Sequence, residues 1–203
     1  MIGIIDYGMG NLASVKNAFD YLGILSQIVD DPDDLKNFDK AILPGVGAFG
    51  RAMENLKQNH YDEAILDFTQ SAKKPFLGIC LGMQLLLDSS MEHGKHDGLG
   101  LVQGTVYDFN DVIKDSPIQH VGWNSISKNS SSPILNQLDD GESFYFVHRF
   151  YCMLNTIEEV STLTDYEISF HSTLQKDNIF ATQFHPEKSQ KAGLSIFKEF
   201  AKL

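Results

Sequence analysis

The sequence predicts a three-layer α/β fold, in which a mostly parallel central sheet is covered by helices on both faces. Short apolar runs at 2–5, 26–29, 40–43 and 75–79 alternate with segments of helical periodicity. Strands separated by helices pair in parallel, because the helix returns the chain to the same end of the sheet. The 203 residues suffice for one full core, and no repeat or linker interrupts them, so we expect a single domain over 1–203.

The first strand leads into a helix with recognisable start and stop signals. Asn11 stands where an N-cap belongs, because its side chain can accept a hydrogen bond from the first turn. Leu12, Val15 and Phe19 then follow at helical spacing. Gly23 ends the pattern, as glycine commonly does at a helix C-terminus. We therefore predict a strand, a tight turn and a helix in this order.

Later segments carry the same alternation and then change character. Apolar periodicity predicts a long helix over 51–72, a helix over 82–87 and a C-terminal helix over 190–203. From about residue 100, short β-like runs alternate with turn-rich polar segments. These runs span 100–109, 143–147, 167–173 and 179–184.

Composition narrows the classes of function. The formal net charge of −11 repels nucleic-acid phosphates and anionic membrane surfaces. No apolar run approaches the roughly 18 to 20 residues that span a bilayer, and the start lacks the basic n-region of a secretory signal. Two cysteines, Cys80 and Cys152, make a poor disulfide framework. We expect a cytoplasmic protein that binds neither nucleic acid nor membrane.

Cys80 is the leading candidate for a nucleophile. It stands between a predicted strand and a predicted helix, with Gly78 and Gly82 two positions before and after it. This is the thiol version of a nucleophile elbow, where close chain approach excludes a β-carbon. The helix start favours the thiolate, and the Leu81 N–H is a natural oxyanion donor. The alternative is a small buried hydrophobe, which is how we interpret Cys152.

His185 is the leading candidate for the base among seven histidines. It follows the apolar run 179–184, and Glu187 lies two positions beyond it. Residues two apart in an extended segment point to the same side, and Pro186 restricts the backbone between them. The pair could instead be a solvated loop pair or half of a metal site. No second pair at metal-ligand spacing accompanies it, so we expect no metal.

Together these segments resemble the two signatures of class I glutamine amidotransferases. They read G-I-C-L-G-M-Q at 78–84 and Q-F-H-P-E-K at 183–188, with Cys80 and His185 105 positions apart. Further segments resemble HisH, the family of glutaminase subunits of imidazole glycerol phosphate synthase. These are I-D-Y-G-M-G-N at 5–11, L-P-G-V-G-A-F-G at 43–50, H-V-G-W-N at 120–124, F-Y-F-V-H at 144–148 and K-S-Q-K-A-G at 188–193.

The resemblance implies the class I amidotransferase, flavodoxin-like form of the fold and a catalytic triad that needs no cofactor. Cys80 would be the nucleophile, His185 the general base and acid, and Glu187 the residue that orients the imidazole. The reaction would hydrolyse L-glutamine to glutamate and ammonia. A HisF-like (β/α)₈ barrel synthase would receive the ammonia in a heterodimer and make imidazole glycerol phosphate and AICAR for histidine biosynthesis.

Further site residues are implied in the same way. The residues implied in the oxyanion hole and in glutamine binding are Gly45, Val46, Gly47, Leu81, Gln84, His148 and Arg149. Those implied at the partner interface are His120, Trp123 and Asn124. In the family the oxyanion loop rearranges when the partner is occupied. From the residues alone, the 44–47 loop could equally be an ordinary turn, Gln84 a surface residue, and Trp123 a loop residue anchored in the core.

Two departures from the family leave alternatives open. Arg149 stands where the family usually has a serine, and the segment 116–119 before His120 also differs. An alternative acceptor is therefore a surface-polysaccharide sugar, amidated by a paralogous system. A dinucleotide-binding module is a further alternative, because Gly8 and Gly10 after the first strand loosely fit the fingerprint of such modules. That fingerprint does not account for Cys80 or His185.

Overall fold

The computed structural model describes all 203 residues, Met1–Leu203. The strands are β1 (Ile2–Ile5), β2 (Ser26–Val29), β3 (Lys40–Gly45), β4 (Phe76–Cys80), β5 (Leu87–Ser90), β6 (His96–Asp97), β7 (Val102–Asp108), β8 (His120–Ser125), β9 (Ser127–Lys128), β10 (Ser143–His148), β11 (Phe150–Leu154), β12 (Val160–Tyr166), β13 (Ile168–Lys176) and β14 (Ile179–Thr182). The α-helices are α1 (Leu12–Tyr21), α2 (Phe49–Gln58), α3 (Tyr61–Leu66), α4 (Leu81–Leu85) and α5 (Gln190–Lys202). Short 3₁₀ turns and one π-helical turn at Asp67–Ser71 join them.

Twelve strands form one mixed sheet, and its parallel half carries the elements predicted from the sequence. The order in that half is β2-β1-β3-β4-β14, with every neighbouring pair parallel. Beyond β14 the sheet continues through the antiparallel strands β13, β11 and β7. Strands β8 and β10 pair with each other in a separate two-stranded sheet. The α/β architecture is confirmed, and the carboxyl ends of β1, β3, β4 and β14 meet at one edge.

Helices cover both faces of the parallel strands, and β1, β4 and β14 are accordingly buried along their whole length. On one face, Ile42 belongs to a core cluster with Phe19 of α1 and Phe197 of α5. On the other face, its neighbour Leu43 belongs to a cluster with Leu56 of α2. None of the helices combines the length and apolarity that a membrane crossing requires.

The helix boundaries confirm some predictions and correct others. Asn11 caps α1 by accepting a hydrogen bond from the Ser14 N–H at 3.2 Å, and Gly23 follows its end with a φ of +68°. The predicted helix over 51–72 is wrong in one respect. His60 adopts a left-handed φ of +59°, which ends α2 and redirects the chain into α3. The helix predicted over 82–87 ends at Leu85, because the chain turns into strand β5.

The contact between α4 and β3 is a backbone contact that only glycine permits. A β-carbon added at Gly82 would lie 1.9 Å from the Leu43 carbonyl oxygen. A β-carbon at Gly78 would lie 2.8 Å from the Gly82 carbonyl oxygen. Both atoms in the way belong to the backbone, so no side-chain rotation relieves the overlap. The two glycines therefore bring β3, β4 and α4 close enough to form the turn at Cys80.

We predict that Gly82→Ala lowers the free energy of unfolding by at least about 3 kcal/mol, because strand β3 must move to accommodate the methyl group. Equilibrium unfolding in urea measures this. Gly50→Ala in α2 is the matched control, since the atoms nearest to its β-carbon belong to the movable ring of His96 and not to the backbone. The control should change stability by no more than about 1 kcal/mol. Equal effects of the two substitutions would contradict the prediction.

Candidate active site

Cys80 lies at a strained turn at the carboxyl end of β4. Its φ of +54° and ψ of −109° lie outside the conformations that residues with a side chain ordinarily adopt. The turn places the thiol at the edge where the parallel strands end, and α4 begins at the next residue. The side chain lines a cleft of about 320 Å³. The local geometry is therefore that of the nucleophile elbow expected from the sequence.

His185 and Glu187 lie next to the thiol and are held together by a short hydrogen bond. The distance from His185 Nδ1 to Glu187 Oε1 is 2.7 Å, and both side chains are almost completely buried. Because a carboxylate can only accept, Nδ1 carries a hydrogen. The other ring nitrogen, Nε2, has no hydrogen-bond partner, and His185 and Cys80 both line the cleft. The structure thus brings together the three side chains predicted as a triad.

The surroundings of His185 favour its charged form. Burial alone lowers the pKa of this imidazole, but the neighbouring Cys80 and Glu187 outweigh burial and raise the pKa to about 10. At neutral pH the ring therefore carries its second proton beside the sulfur. A buried cation next to a thiol stabilises the thiolate, which is the nucleophilic form.

The loop expected to form the oxyanion hole lies partly in the cleft. Val46, Gly47 and Leu81 line it, and Gly47 has a φ of +102° that favours glycine. Gly45 does not line the cleft, and an added β-carbon there would be 2.9 Å from Leu81 Cβ and 3.0 Å from the Gly82 backbone nitrogen. Gly45 therefore packs the loop against the elbow.

Gln84 is part of the cleft, so the surface alternative considered for it is wrong. The residue is 5% exposed. Its side-chain NH₂ donates to the Phe150 carbonyl at 3.0 Å and to Gln183 Oε1 at 3.1 Å. Both hydrogens are thus committed, and only Gln84 Oε1 is left for a ligand.

Arg149 lies at the cleft, but its guanidinium is engaged by Asp108. Nε and Nη2 donate to the two carboxylate oxygens of Asp108 at 2.9 and 2.5 Å. Burial raises the pKa of that carboxyl, yet the hydrogen bonds from Arg149 outweigh it and hold the pKa below its usual value. The Arg149 cation is therefore paired within the chain.

Of the three residues expected at a partner interface, only Trp123 presents a free side chain. It lies on β8, not in a loop as we expected, is half exposed, and packs edge-on against Tyr145 of β10 with 6.2 Å between ring centroids. The expectation for His120 is wrong, since its ring is buried and stacked on Tyr166. Asn124 uses its amide to bind the His120 ring and the Asp165 carbonyl. Alternation along the strand explains why His120 points inward and Trp123 outward.

His148 lines the cleft together with Val147 and Arg149, its neighbours in the chain. Its ring is buried and hydrogen-bonded to the ring of His120. Sequence reasoning missed Gln183, whose amide contacts Cys80, and three residues that line the cleft: Val147, Phe150 and Lys188. Gln183 opens the signature segment 183–188, and Val147 and Phe150 flank the His148–Arg149 pair, so their positions in the sequence could have indicated them.

We predict that His185 stays protonated across neutral pH in the folded chain. Its raised pKa means that the folded state binds a proton more tightly than the unfolded chain. The resulting stabilisation is complete below about pH 6.5 and is lost as the pH rises toward 10. Cys80→Ala and Glu187→Gln each remove one group that raises the pKa, so each variant should titrate at lower pH. NMR titration of the His185 ring measures this, and a native pKa near 6.5 would contradict it.

Comparison with known proteins places this geometry in a family. The family model for "Glutamine amidotransferase class-I" matches residues 3–203. The imidazole glycerol phosphate synthase subunit HisH of Syntrophotalea carbinolica is 45% identical, covering 98% of both chains, and subunit HisH 1 of Campylobacter jejuni is 45% identical, covering 100% of both. Among solved structures, PurLQS from Thermotoga maritima shares the fold, with a TM-score of 0.77 at 18% identity over 99% of this chain and 97% of that one. The chain belongs to the class I glutamine amidotransferases and, within them, to the HisH family.

Proposed function

We propose that this chain is a glutaminase subunit, which hydrolyses L-glutamine to glutamate and ammonia and passes the ammonia to a synthase partner. The observation that carries the proposal is the strained Cys80 thiol beside the buried His185–Glu187 pair, at the wall of a cleft. A nucleophile, a base and a residue that orients the base are the parts that acyl transfer needs. The HisH names of the relatives direct the reaction toward imidazole glycerol phosphate synthesis.

In the first step the Cys80 thiolate attacks the carboxamide carbon of glutamine. The carbonyl oxygen becomes an oxyanion, which the Leu81 N–H and an N–H of the Val46–Gly47 loop would stabilise. His185 then gives the proton on Nε2 to the amide nitrogen. The C–N bond breaks, ammonia leaves, and a glutamyl thioester remains on Cys80.

In the second step water releases glutamate. His185 is now neutral, takes a proton from water, and the resulting hydroxide adds to the thioester carbon. The C–S bond breaks, the thiolate is restored, and the imidazolium is regenerated. Glu187 keeps the ring in the orientation that serves both steps, because its carboxylate holds the Nδ1 hydrogen at 2.7 Å.

The outer face of the β8–β10 sheet is the proposed docking surface for a HisF-like (β/α)₈ barrel. Val121, Trp123 and Val147 are exposed on this face, and Tyr145 lies opposite Trp123 in the strand register. Val147 also lines the cleft that holds Cys80. A partner bound here would cover the cleft border, so ammonia could leave without entering bulk water. The Arg149 guanidinium is bound by Asp108. Arg149 therefore gives no support to the alternative in which the ammonia acceptor is a surface-polysaccharide sugar.

Glutamate release by the purified chain tests the function. With a HisF-like barrel present, the native chain should release glutamate, and Cys80→Ala should lower the rate by at least about 10⁴-fold because the covalent path is lost. Without the barrel we expect turnover to be nearly absent. Gln103→Ala is the control and should keep activity, since Gln103 is exposed on β7 and does not line the cleft. Activity in Cys80→Ala equal to that of the native chain would refute the mechanism.

Trp123→Ala tests the proposed docking surface. Removing a large aromatic anchor from an interface centre typically costs about 2 kcal/mol or more, so Kd for the barrel should rise about 30-fold. Titration calorimetry measures the affinity. Tyr21→Ala provides the control, because Tyr21 is an aromatic residue 80% exposed on α1. The surface is wrongly placed if the two variants bind the barrel equally well.

A further inference from the structure

The Gln183 side chain is an unassigned polar group in contact with the reacting sulfur. It is completely buried, directly after β14. Its Nε2 donates toward Cys80 Sγ at 3.7 Å, within the range for hydrogen bonds to sulfur. A buried amide is ordinarily bonded to oxygen or nitrogen atoms. Its contact with the nucleophile therefore calls for a functional explanation.

The orientation of this amide is fixed by one backbone carbonyl. The Phe150 carbonyl can only accept, so the NH₂ end of Gln84 must face it. The same NH₂ group supplies its second hydrogen to Gln183 and therefore faces the oxygen end of that side chain. The NH₂ end of Gln183 is then left for the sulfur. The reverse orientation would bring two NH₂ groups together and an oxygen against a thiolate.

The Phe150 carbonyl also accepts a hydrogen bond from His148, which is in turn held by a second buried histidine, His120. His148 Nδ1 donates to the carbonyl at 2.8 Å, and His148 Nε2 lies 3.0 Å from His120 Nδ1. Burial lowers the pKa of His120 to about 4 and that of His148 to about 3, so both rings are neutral. Because His148 donates through Nδ1, its Nε2 accepts from His120. The carbonyl thus receives two hydrogen bonds of defined direction.

Cys152 provides a second, weaker donor to the side-chain oxygen of Gln183. Its thiol lies 4.0 Å from Gln183 Oε1, and burial raises the pKa of this thiol, so it stays protonated and donates. The oxygen end of Gln183 therefore faces two donors, and the nitrogen end faces the sulfur.

We infer that Gln183 is a positioning residue, which holds the Cys80 sulfur in place and stabilises its thiolate with one N–H donor. The inference goes beyond the proposed triad, in which only His185 acts on the sulfur. Helix α4 has only five residues and contributes a small dipole at its start. A hydrogen bond from a buried amide to an ion is stronger than one between neutral groups. Gln183 therefore supplies stabilisation that the short helix does not.

Alkylation of Cys80 by iodoacetamide tests this in the isolated chain. Rates are measured from pH 5 to 10, and mass spectrometry separates modified Cys80 from Cys152. In Gln183→Met, which keeps side-chain length but has no donor, the rate at pH 6.5 should fall at least about tenfold, and the pH midpoint should rise. Gln183→Glu keeps the acceptor and places an oxygen against the sulfur, so its midpoint should rise further.

The other titratable groups that influence the sulfur are His185, Tyr7 and Cys152, and Gln183→Met changes none of them. Gln103→Glu, at an exposed position on β7, controls for added charge and should alkylate as the native chain does. Native-like pH profiles in both Gln183 variants would overturn the inference, whereas a merely structural role would alter stability without moving the profile.

A second measurement covers the case in which neither variant folds. In the native chain, the Gln183 side-chain ¹⁵N resonance should shift as Cys80 ionises, and the Gln103 resonance should not. A Gln183 ¹⁵N chemical shift that stays unchanged as Cys80 ionises would also overturn the inference. Neither measurement needs glutamine or a partner, so failure here is distinguishable from failure of the proposed glutaminase activity.

Discussion

The close backbone contact between α4 and β3 is the constraint on which the site depends. Gly82 approaches the Leu43 carbonyl and Gly78 approaches the Gly82 carbonyl at distances that exclude a β-carbon. This contact forces the chain through the strained conformation at Cys80. The parallel pairing of β4 with β14 then brings the segment after β14 to the same edge, which carries Gln183 and His185 toward the sulfur. Residues 105 positions apart thus meet through sheet topology.

The histidines near the cleft show how burial can produce opposite charge states. His185 has a carboxylate and a thiol as neighbours, so its pKa rises even though it is buried. For His120 and His148 burial dominates, no acidic neighbour offsets it, and the charge of His185 lowers the pKa of His148 further. The chain therefore keeps one histidine available for proton transfer and two as fixed donors and acceptors. The pKa values of the three histidines differ because the groups beside each ring differ, although all three rings are buried.

The parallel half of the fold and the centre of the site could be predicted from the sequence. Strand–helix alternation and the glycines around Cys80 are local signals, and the structure has them as expected. The Gln183–Cys80 contact joins different strands, and no periodicity within either segment encodes it. The burial of His120 depended on its lying on a strand whose alternate residues face inward. The ion pair between Arg149 and Asp108 could not be predicted, because the pairing of β11 with β7 that brings Asp108 beside Arg149 is not visible along the chain.

The glycine contact at the elbow also limits how this site could be transplanted or redesigned. Since the nucleophile is held by backbone packing, copying Cys80, His185 and Glu187 onto another scaffold would not reproduce its placement. The smallest portable unit is the set of strand ends β3, β4 and β14 together with the start of α4. The rim of the cleft is held by side chains and can vary independently, as the Arg149–Asp108 pair illustrates. Engineering of substrate or partner choice should therefore begin at the rim and leave the elbow unchanged.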